Sequence, residues 1–119
     1  MNISHSEMRE PTYYVLASLL DGPLHGYAML GRAAELSGGR VRMATGTLYT
    51  ALDRLAAEGY VRLVSEEIVN GRVRRSYGLT DAGAAALRAE AERMATAARV
   101  VTARRPDRAA SAVRKARTA

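Results

Sequence analysis

The chain has 119 residues, of which 48% are hydrophobic and 25% charged, a composition typical of one small globular domain. It has no cysteine, which excludes disulfide scaffolds, thiol catalysis and cysteine-ligated zinc. No apolar run approaches the ~18 residues that a membrane span needs, and the polar segment Met1–Pro11 does not resemble a secretory signal. We therefore expect a cytoplasmic protein with no membrane partner.

The formal net charge is +6, and the basic residues fall into two zones. Between Gly39 and Tyr77 seven arginines outnumber four acids, and within residues 103–119 six basic residues are opposed only by Asp107. Two basic zones on a small chain favour a polyanion such as nucleic acid as partner. The plain alternative is a solvated surface followed by a loose basic tail, and we expect residues 103–119 to be disordered or a frayed helix.

Two apolar helices are predicted in the first third of the chain. Residues 13–20 are apolar nearly all round and follow Pro11, which suits the first turn of a helix, so this first helix should be buried. A second helix is predicted from His25 or Gly26 to Leu36, closed by a pair of glycines. Its inward stripe is predicted to consist of Tyr27, Leu30, Ala33 and Ala34.

A third helix is predicted after a short extended piece at residues 40–43, and it ends at Gly59. We expect Thr45 or Thr47 to cap its first turn. Three leucines separated by four and three residues form one buried helical stripe, namely Leu48, Leu52 and Leu55. The other face carries polar residues that are left for solvent or for a ligand.

Residues 60–79 are rich in β-branched and aromatic side chains, which favour strands. In their middle lies Asn70-Gly71, which is the strongest short signal for a two-residue hairpin turn. Such a turn fixes the register of the hairpin. The predicted pairs are Val69 with Arg72, Glu67 with Arg74, and Glu66 with Arg75. The two Glu–Arg pairs are opposite in charge, which supports this register.

A fourth helix is predicted to start at a Thr80-Asp81 cap and to run to about Thr102. Apolar residues recur along it with alternating spacings of four and three, which is a heptad-type seam: Leu87, Ala91, Met94, Ala98 and Val101. A small domain offers little to cover this seam, so we predict a homodimer. The alternative is that the stripe folds back onto its own domain.

Three helices, a hairpin and a long helix predict a mainly α fold with a small β-hairpin. We interpret it as a winged helix-turn-helix DNA-binding domain (residues 1–79), a C-terminal dimerisation helix (80–102) and a basic tail (103–119). In such a fold the second helix of the pair enters the major groove, and an arginine-bearing hairpin follows phosphates or enters a minor groove. The predicted DNA-binding residues are Thr45, Gly46, Thr47, Tyr49, Thr50, Arg54, Arg72, Arg74 and Arg75.

Plainer readings of these residues stay open at this point. Thr45 can be only a helix cap and Tyr49 only a packing residue, while Arg74 and Arg75 can be occupied by Glu67 and Glu66. The alternative function is a winged-helix protein-interaction module without specific DNA binding.

Several motifs, in order, resemble the PadR family of transcriptional regulators. They are LLDGPLHGY at 19–27, GTLYTAL at 46–52, Arg54-Leu55 with Glu58-Gly59, RRSY at 74–77 and LTDAG at 79–83. The resemblance implies a dimeric winged-helix repressor in which Thr47 and Tyr49 contact DNA and the hairpin arginines form the wing. The single short C-terminal helix resembles the smaller subfamily. Asp53 departs from the pattern, because a basic or neutral residue is more usual there.

The resemblance also implies a small aromatic or hydrophobic effector bound in or near the dimer interface. We predict its pocket between the first and fourth helices, near Met8, Val15 and Met94, where adaptable apolar side chains would meet. Catalysis is not expected, because the only histidines, His5 and His25, lie in different segments. No metal-ligand spacing or phosphate loop is present, so we predict no enzyme, metal or cofactor.

Overall fold

The computed structural model describes residues 8–104. Within that range the chain forms four helices and three strands. These are α1 (Glu10–Ala17), β1 (Leu24–His25), α2 (Gly26–Leu36), α3 (Thr45–Ala57), β2 (Val61–Val69), β3 (Arg72–Leu79) and α4 (Asp81–Thr102). His5 and the predicted basic tail beyond Arg104 lie outside the described residues. The mainly α winged helix-turn-helix fold is confirmed, with α2 and α3 as the helix pair and the β2–β3 hairpin as the wing.

The three strands form one antiparallel sheet in the order β1-β3-β2. The predicted hairpin register is confirmed at all three pairs, because Asn70 (φ 52°) and Gly71 (φ 76°) adopt the left-handed conformations that a tight two-residue turn requires. The strand β1 was not predicted. It is only two residues long, and Leu24 and His25 pair with Tyr77 and Ser76, which are distant in sequence.

The helix boundaries agree with the predictions for α2 and α4, but α1 and α3 differ in detail. The first helix begins and ends three residues earlier than expected, and Pro11 lies in its first turn as predicted. The predicted cap of α3 is wrong, because Ala44 occupies the N-cap position and no side chain caps the helix. The hydroxyls of Thr45 and Thr47 are therefore not used to close the helix end.

The core lies where α1, α2, α3 and the sheet meet. The leucine stripe of α3 is confirmed, since all three of its leucines are buried. In the stripe predicted for α2, Ala33 is buried as expected, but Tyr27 is wrong, because it is 70% exposed and the helix buries Gly26 and Met29 instead. The buried hydrophobic cluster comprises Val15, Leu16, Leu19, Met29, Leu48, Leu52, Leu55, Val61, Tyr77 and Leu87.

The fourth helix is half inside the domain and half outside it. Leu87, predicted to lie in the dimer seam, belongs to the core of its own domain and is 5% exposed, because the start of α4 packs against α1 and β3. Beyond Ala91 every residue of the helix is exposed in the single chain, including Met94 (36%) and Val101 (72%). Within residues 8–104, none of the helices has the length and apolar character that crossing a bilayer requires.

The first turn of α4 is held on the turn between α3 and β2. Thr80 caps the helix as predicted: its hydroxyl accepts a hydrogen bond from the Gly83 N–H (2.9 Å) and donates one to the Gly59 carbonyl (2.5 Å). The backbone N–H of Thr80 donates to the Tyr60 carbonyl (3.1 Å). A Cβ on Gly83 would overlap that same carbonyl oxygen of Tyr60. Glycine at position 83 is therefore required by close approach of two backbones.

We expect Gly83→Ala to destabilise the protein by about 1–3 kcal/mol, the usual range for overpacking. This cost equals or exceeds the helix propensity of about 1 kcal/mol that alanine adds over glycine. Gly31→Ala is the matched control, because a Cβ there meets open space inside α2 and only the propensity gain remains. Urea unfolding of both variants measures the difference. Equal stability of the two variants would contradict the packing of α4 against Tyr60.

Candidate nucleic-acid interface

The start of α3 is exposed to solvent. Thr45, Gly46, Thr47 and Thr50 are all exposed, and Tyr49 is half-buried. With 3.6 residues per turn, residues 48, 52 and 55 face the core, whereas 46, 50 and 57 point away from it. Residues 47, 51 and 54 lie on one flank of that outward face, and 49 and 53 lie on the other. The outward face and both flanks of α3 are thus available to a ligand that lies along the helix.

Tyr49 is positioned by α2. A Cβ added to Gly26 would overlap the Tyr49 hydroxyl, so the absence of a side chain at Gly26 makes room for this phenol. Tyr49 and Asp53 also lie near Tyr77, whose pKa is raised mainly by burial. The two readings of Tyr49 are therefore compatible, since one side of the ring packs on α2 while the residue remains partly accessible.

The wing carries three exposed arginines, which differ in whether another described residue binds their guanidinium group. Arg75 is held by Glu66 through a 2.8 Å ion pair, as its register predicts. Glu67 lies opposite Arg74 as predicted, but the two side chains form no ion pair. Among residues 8–104, neither Arg72 nor Arg74 has a hydrogen-bond or ion-pair partner. Two of the three wing arginines are therefore free to contact an anion.

These two arginines line a cleft of about 350 Å³ between the wing, Tyr49 and the start of α2. We call this space the wing cleft. Its remaining lining residues are His25, Gly26, Tyr27, Val69, Asn70 and Val73. His25 and Gly26 were not predicted as neighbours of this site, because only the unpredicted pairing of β1 with β3 brings them to the wing.

A second cavity, of about 660 Å³, lies on the other flank of α3. We call it the α1 groove. Its floor is apolar (Val15, Met43 and Ala51), and its polar lining residues are Arg9, Thr12, Thr47, Thr50 and Arg54.

Arg54 is held in this groove by Thr12, because its guanidinium donates a 3.1 Å hydrogen bond to the Thr12 hydroxyl. The exposed side chain of Arg9 has no partner within the described part of the chain. Arg9 and Thr12 were not predicted as site residues. The groove joins segments about forty residues apart, and no local pattern connects them.

Neither of the two cavities is lined by all three residues that were predicted for an effector. Met8 is half-buried and packs against the core, and Met94 lies on the exposed half of α4. Val15 is 1% exposed and borders the α1 groove, which lies between α1 and α3 rather than between α1 and α4. The effector site therefore stays a prediction.

The segment before α1 is tied to α4 through Glu90. This carboxylate accepts hydrogen bonds from the Arg93 guanidinium, one of them 3.1 Å long, and from the backbone N–H of Met8. These bonds lower the pKa of Glu90, with Arg93 as the largest cause and burial opposing. The start of α1 is thus linked both to α4, through Met8, and to α3, through Thr12.

Within residues 8–104, no group of three or more histidine, aspartate or glutamate side chains is arranged to hold a metal ion. The cationic and hydroxyl side chains around α3 are instead suited to hydrogen-bonding anionic oxygens.

Comparison with known proteins gives a consistent result. A model of the transcriptional regulator PadR-like family matches residues 15–89. The chain is 46% identical over 81 residues to an uncharacterized 37.1 kDa protein in transposon TN4556 of Streptomyces fradiae. It is 44% identical over 75 residues to the transcriptional regulator Rv3488 of Mycobacterium tuberculosis. These alignments cover 68% and 62% of this chain, but 22% and 65% of the two relatives.

Solved structures share the fold. Bacillus subtilis PadR in complex with operator DNA has a TM-score of 0.56 and 27% identity, covering 64% of this chain and 43% of that one. A PadR family transcription regulator from Clostridium difficile has a TM-score of 0.63 and 22% identity, covering 79% and 96%. The regulator TA0346 from Thermoplasma acidophilum has a TM-score of 0.65 and 24% identity, covering 86% and 91%.

Proposed function

The chain belongs to the PadR-like family of transcriptional regulators, and on that premise we propose that it binds operator DNA as a homodimer and represses transcription. One observation supports this function most strongly. The exposed start of α3 lies between two cavities, and the lining of each includes arginines. A solved relative, Bacillus subtilis PadR, was crystallised in complex with operator DNA.

The proposed contacts follow from the size of a helix and of a groove. The major groove is about 12 Å wide and admits an α-helix. With α3 in the groove, Gly46 and Thr50 face the base edges and Thr47 and Tyr49 lie beside them. Hydroxyls and N–H groups at a helix start contact phosphates and bases. Arg72 and Arg74 of the wing then reach phosphate oxygens, which makes the affinity fall steeply with salt.

A homodimer is proposed because the outer half of α4 exposes apolar side chains that a second copy can cover. Ala91, Met94, Ala98 and Val101 repeat with heptad spacing on this part of the helix. Small residues at two of the four positions allow the helices to approach closely. The two copies of α3 would then meet successive major grooves, about 34 Å apart along the duplex.

We further propose that a small aromatic or hydrophobic effector releases the protein from DNA. An effector acts only if it binds one arrangement of the helices better than another. The links from α1 to Glu90 on α4 and to Arg54 on α3 support such a coupling, because a shift of α4 would be passed to α3. The proposed effector residues remain Met8, Val15 and Met94.

The test is a titration of a labelled duplex from the region upstream of the protein's own coding sequence, followed by fluorescence anisotropy with unlabelled competitor DNA. We expect Thr50→Val to lower affinity for this duplex by about tenfold, which is the size of one good base contact, and to change competitor binding little. Thr102→Val, an exposed threonine at the end of α4, is the matched control. Binding of wild-type protein with no preference for any duplex would favour a protein-interaction module instead.

A further inference from the structure

The two cavities lie on opposite flanks of α3. The wing cleft includes Tyr49 from this helix, whereas the α1 groove includes Thr47, Ala51 and Arg54. A helix with its side chains is about 10–12 Å across, so it fills a major groove that is about 12 Å wide. Each flank of a helix in that groove therefore faces the sugar–phosphate backbone of a different strand.

The α1 groove has the chemistry of an anion site. Among residues 8–104, its charged lining residues are Arg9 and Arg54, and none of the lining residues is acidic. The nearby Glu10 is engaged elsewhere, because its carboxylate accepts two hydrogen bonds from Arg40, at 2.9 and 3.0 Å. The described residues that line this flank therefore carry positive charge, and Glu10 does not neutralise it.

Arg54 is pre-oriented for such a contact. The Thr12 hydroxyl accepts one N–H of its guanidinium, and a guanidinium has further N–H groups to donate. Holding an arginine in place reduces the side-chain entropy that is lost when it binds. Thr12 therefore acts as a positioning residue, and Arg9 completes the pair of cations.

We propose that the α1 groove seats a backbone phosphate of the DNA strand opposite the one that the wing contacts. Arg9 and Arg54 donate to the phosphate oxygens, and Thr12 orients Arg54. The inference deepens the proposed function, on which it rests. It adds Arg9 and Thr12, which precede the helix-turn-helix pair, to the DNA-binding surface. Residues that contact phosphates then lie on both flanks of α3.

The test compares the salt dependence of DNA binding between variants of the full chain, using the labelled upstream duplex. Each phosphate contact contributes about 0.9 to the slope of log K against log salt. Arg9→Gln is therefore expected to make that negative slope shallower by about one for each subunit bound. Arg9→Lys keeps the charge and should keep the slope. Arg88→Gln is the matched control, since Arg88 is exposed on α4 and has no partner within residues 8–104.

Thr12→Val tests the positioning role separately. It leaves the charge of the groove unchanged, so the affinity should fall several-fold while the slope stays near the wild-type value. The same loss in an Arg54→Gln background would mean that Thr12 does not act through Arg54, and would overturn that part of the inference.

The two proposals fail in different ways. If wild type binds the duplex and Thr50→Val weakens this binding, but Arg9→Gln keeps the wild-type slope, the phosphate seat is wrong and the regulator function stands. If Arg9→Gln leaves the slope unchanged but abolishes binding of benzoate, the groove holds a small aromatic anion rather than DNA, which also overturns the inference. If wild type binds no duplex, both proposals fail together.

Discussion

Replacing Met94 and Val101 together with aspartate is expected to convert the protein to a monomer and to lower its affinity for the upstream duplex at least a hundredfold. Both side chains are exposed in the single chain and lie seven residues apart on one face of α4. In the proposed dimer the new carboxylates would be buried without partners, which is strongly unfavourable. The loss of DNA affinity follows because linking two binding modules raises affinity by about 10²–10⁴.

The matched control places two aspartates elsewhere on the same helix. Ala89 and Thr96 are exposed, are also seven residues apart, and lie on a different face from Met94 and Val101. The Ala89→Asp/Thr96→Asp variant should remain dimeric and should lose only the affinity expected from two added negative charges. Sedimentation equilibrium gives the oligomeric state, and anisotropy gives the affinity. A Met94→Asp/Val101→Asp variant that stays dimeric would show that the seam is not the interface.

Removing both free wing arginines should have the second largest effect. The Arg72→Ala/Arg74→Ala variant is expected to lower affinity by about 10–100-fold near 0.1 M salt and to reduce the salt slope by about two for each subunit. The reason is that neither guanidinium is engaged by another of the described residues, so both are available to phosphates. Folding should be unaffected, because both side chains are exposed.

Arg75→Ala is the control on the same strand. Arg75 is held by Glu66, so its removal should weaken DNA binding less than removal of either free arginine. The exposed ion pair contributes little to stability, which makes a folding defect unexpected. If Arg75→Ala matched the double variant in affinity and in slope, the distinction between engaged and free arginines on the wing would be wrong.

Much of the fold could be predicted because its signals are local. The Asn70-Gly71 turn determined the pairing of β2 with β3 from Val69–Arg72 to Ser65–Ser76, and a bulge between Leu63 and Ser65 shifts the remaining pairs by one residue. The Thr80 cap fixed the start of α4, and the leucine spacing fixed the buried face of α3. In each case the deciding residues lie within one turn or a few positions of one another.

The predictions that proved wrong concern residues whose packing depends on contacts between distant segments of the chain. Tyr27 was assigned inward although α2 buries Gly26, and this orientation depends on Tyr49 of the next helix. Leu87 fitted a heptad seam, yet its packing depends on where α4 crosses α1 and the sheet. The alternative that Glu67 forms an ion pair with Arg74 was wrong. The two residues are cross-strand partners, but two exposed side chains in paired positions need not contact each other.

Only the parts of the candidate site that lie within one segment of the chain could be predicted. The polar start of α3 and the wing arginines are visible as short motifs, and the structure exposes them. The α1 groove is not visible in the sequence, since Thr12 and Arg54 meet only after α1 packs beside α3. Position 9 carries no motif of its own, so only the folded chain shows that Arg9 lines the same groove as Arg54.

The most direct measurement is the molar mass of the protein–duplex complex by sedimentation, with the upstream duplex and with an unrelated one, at two salt concentrations. Two subunits should occupy each upstream duplex at the lower salt, resist exchange by the unrelated DNA, and dissociate as salt rises. A single subunit that binds both duplexes equally weakly would contradict the idea that two chains jointly insert their α3 helices into one operator.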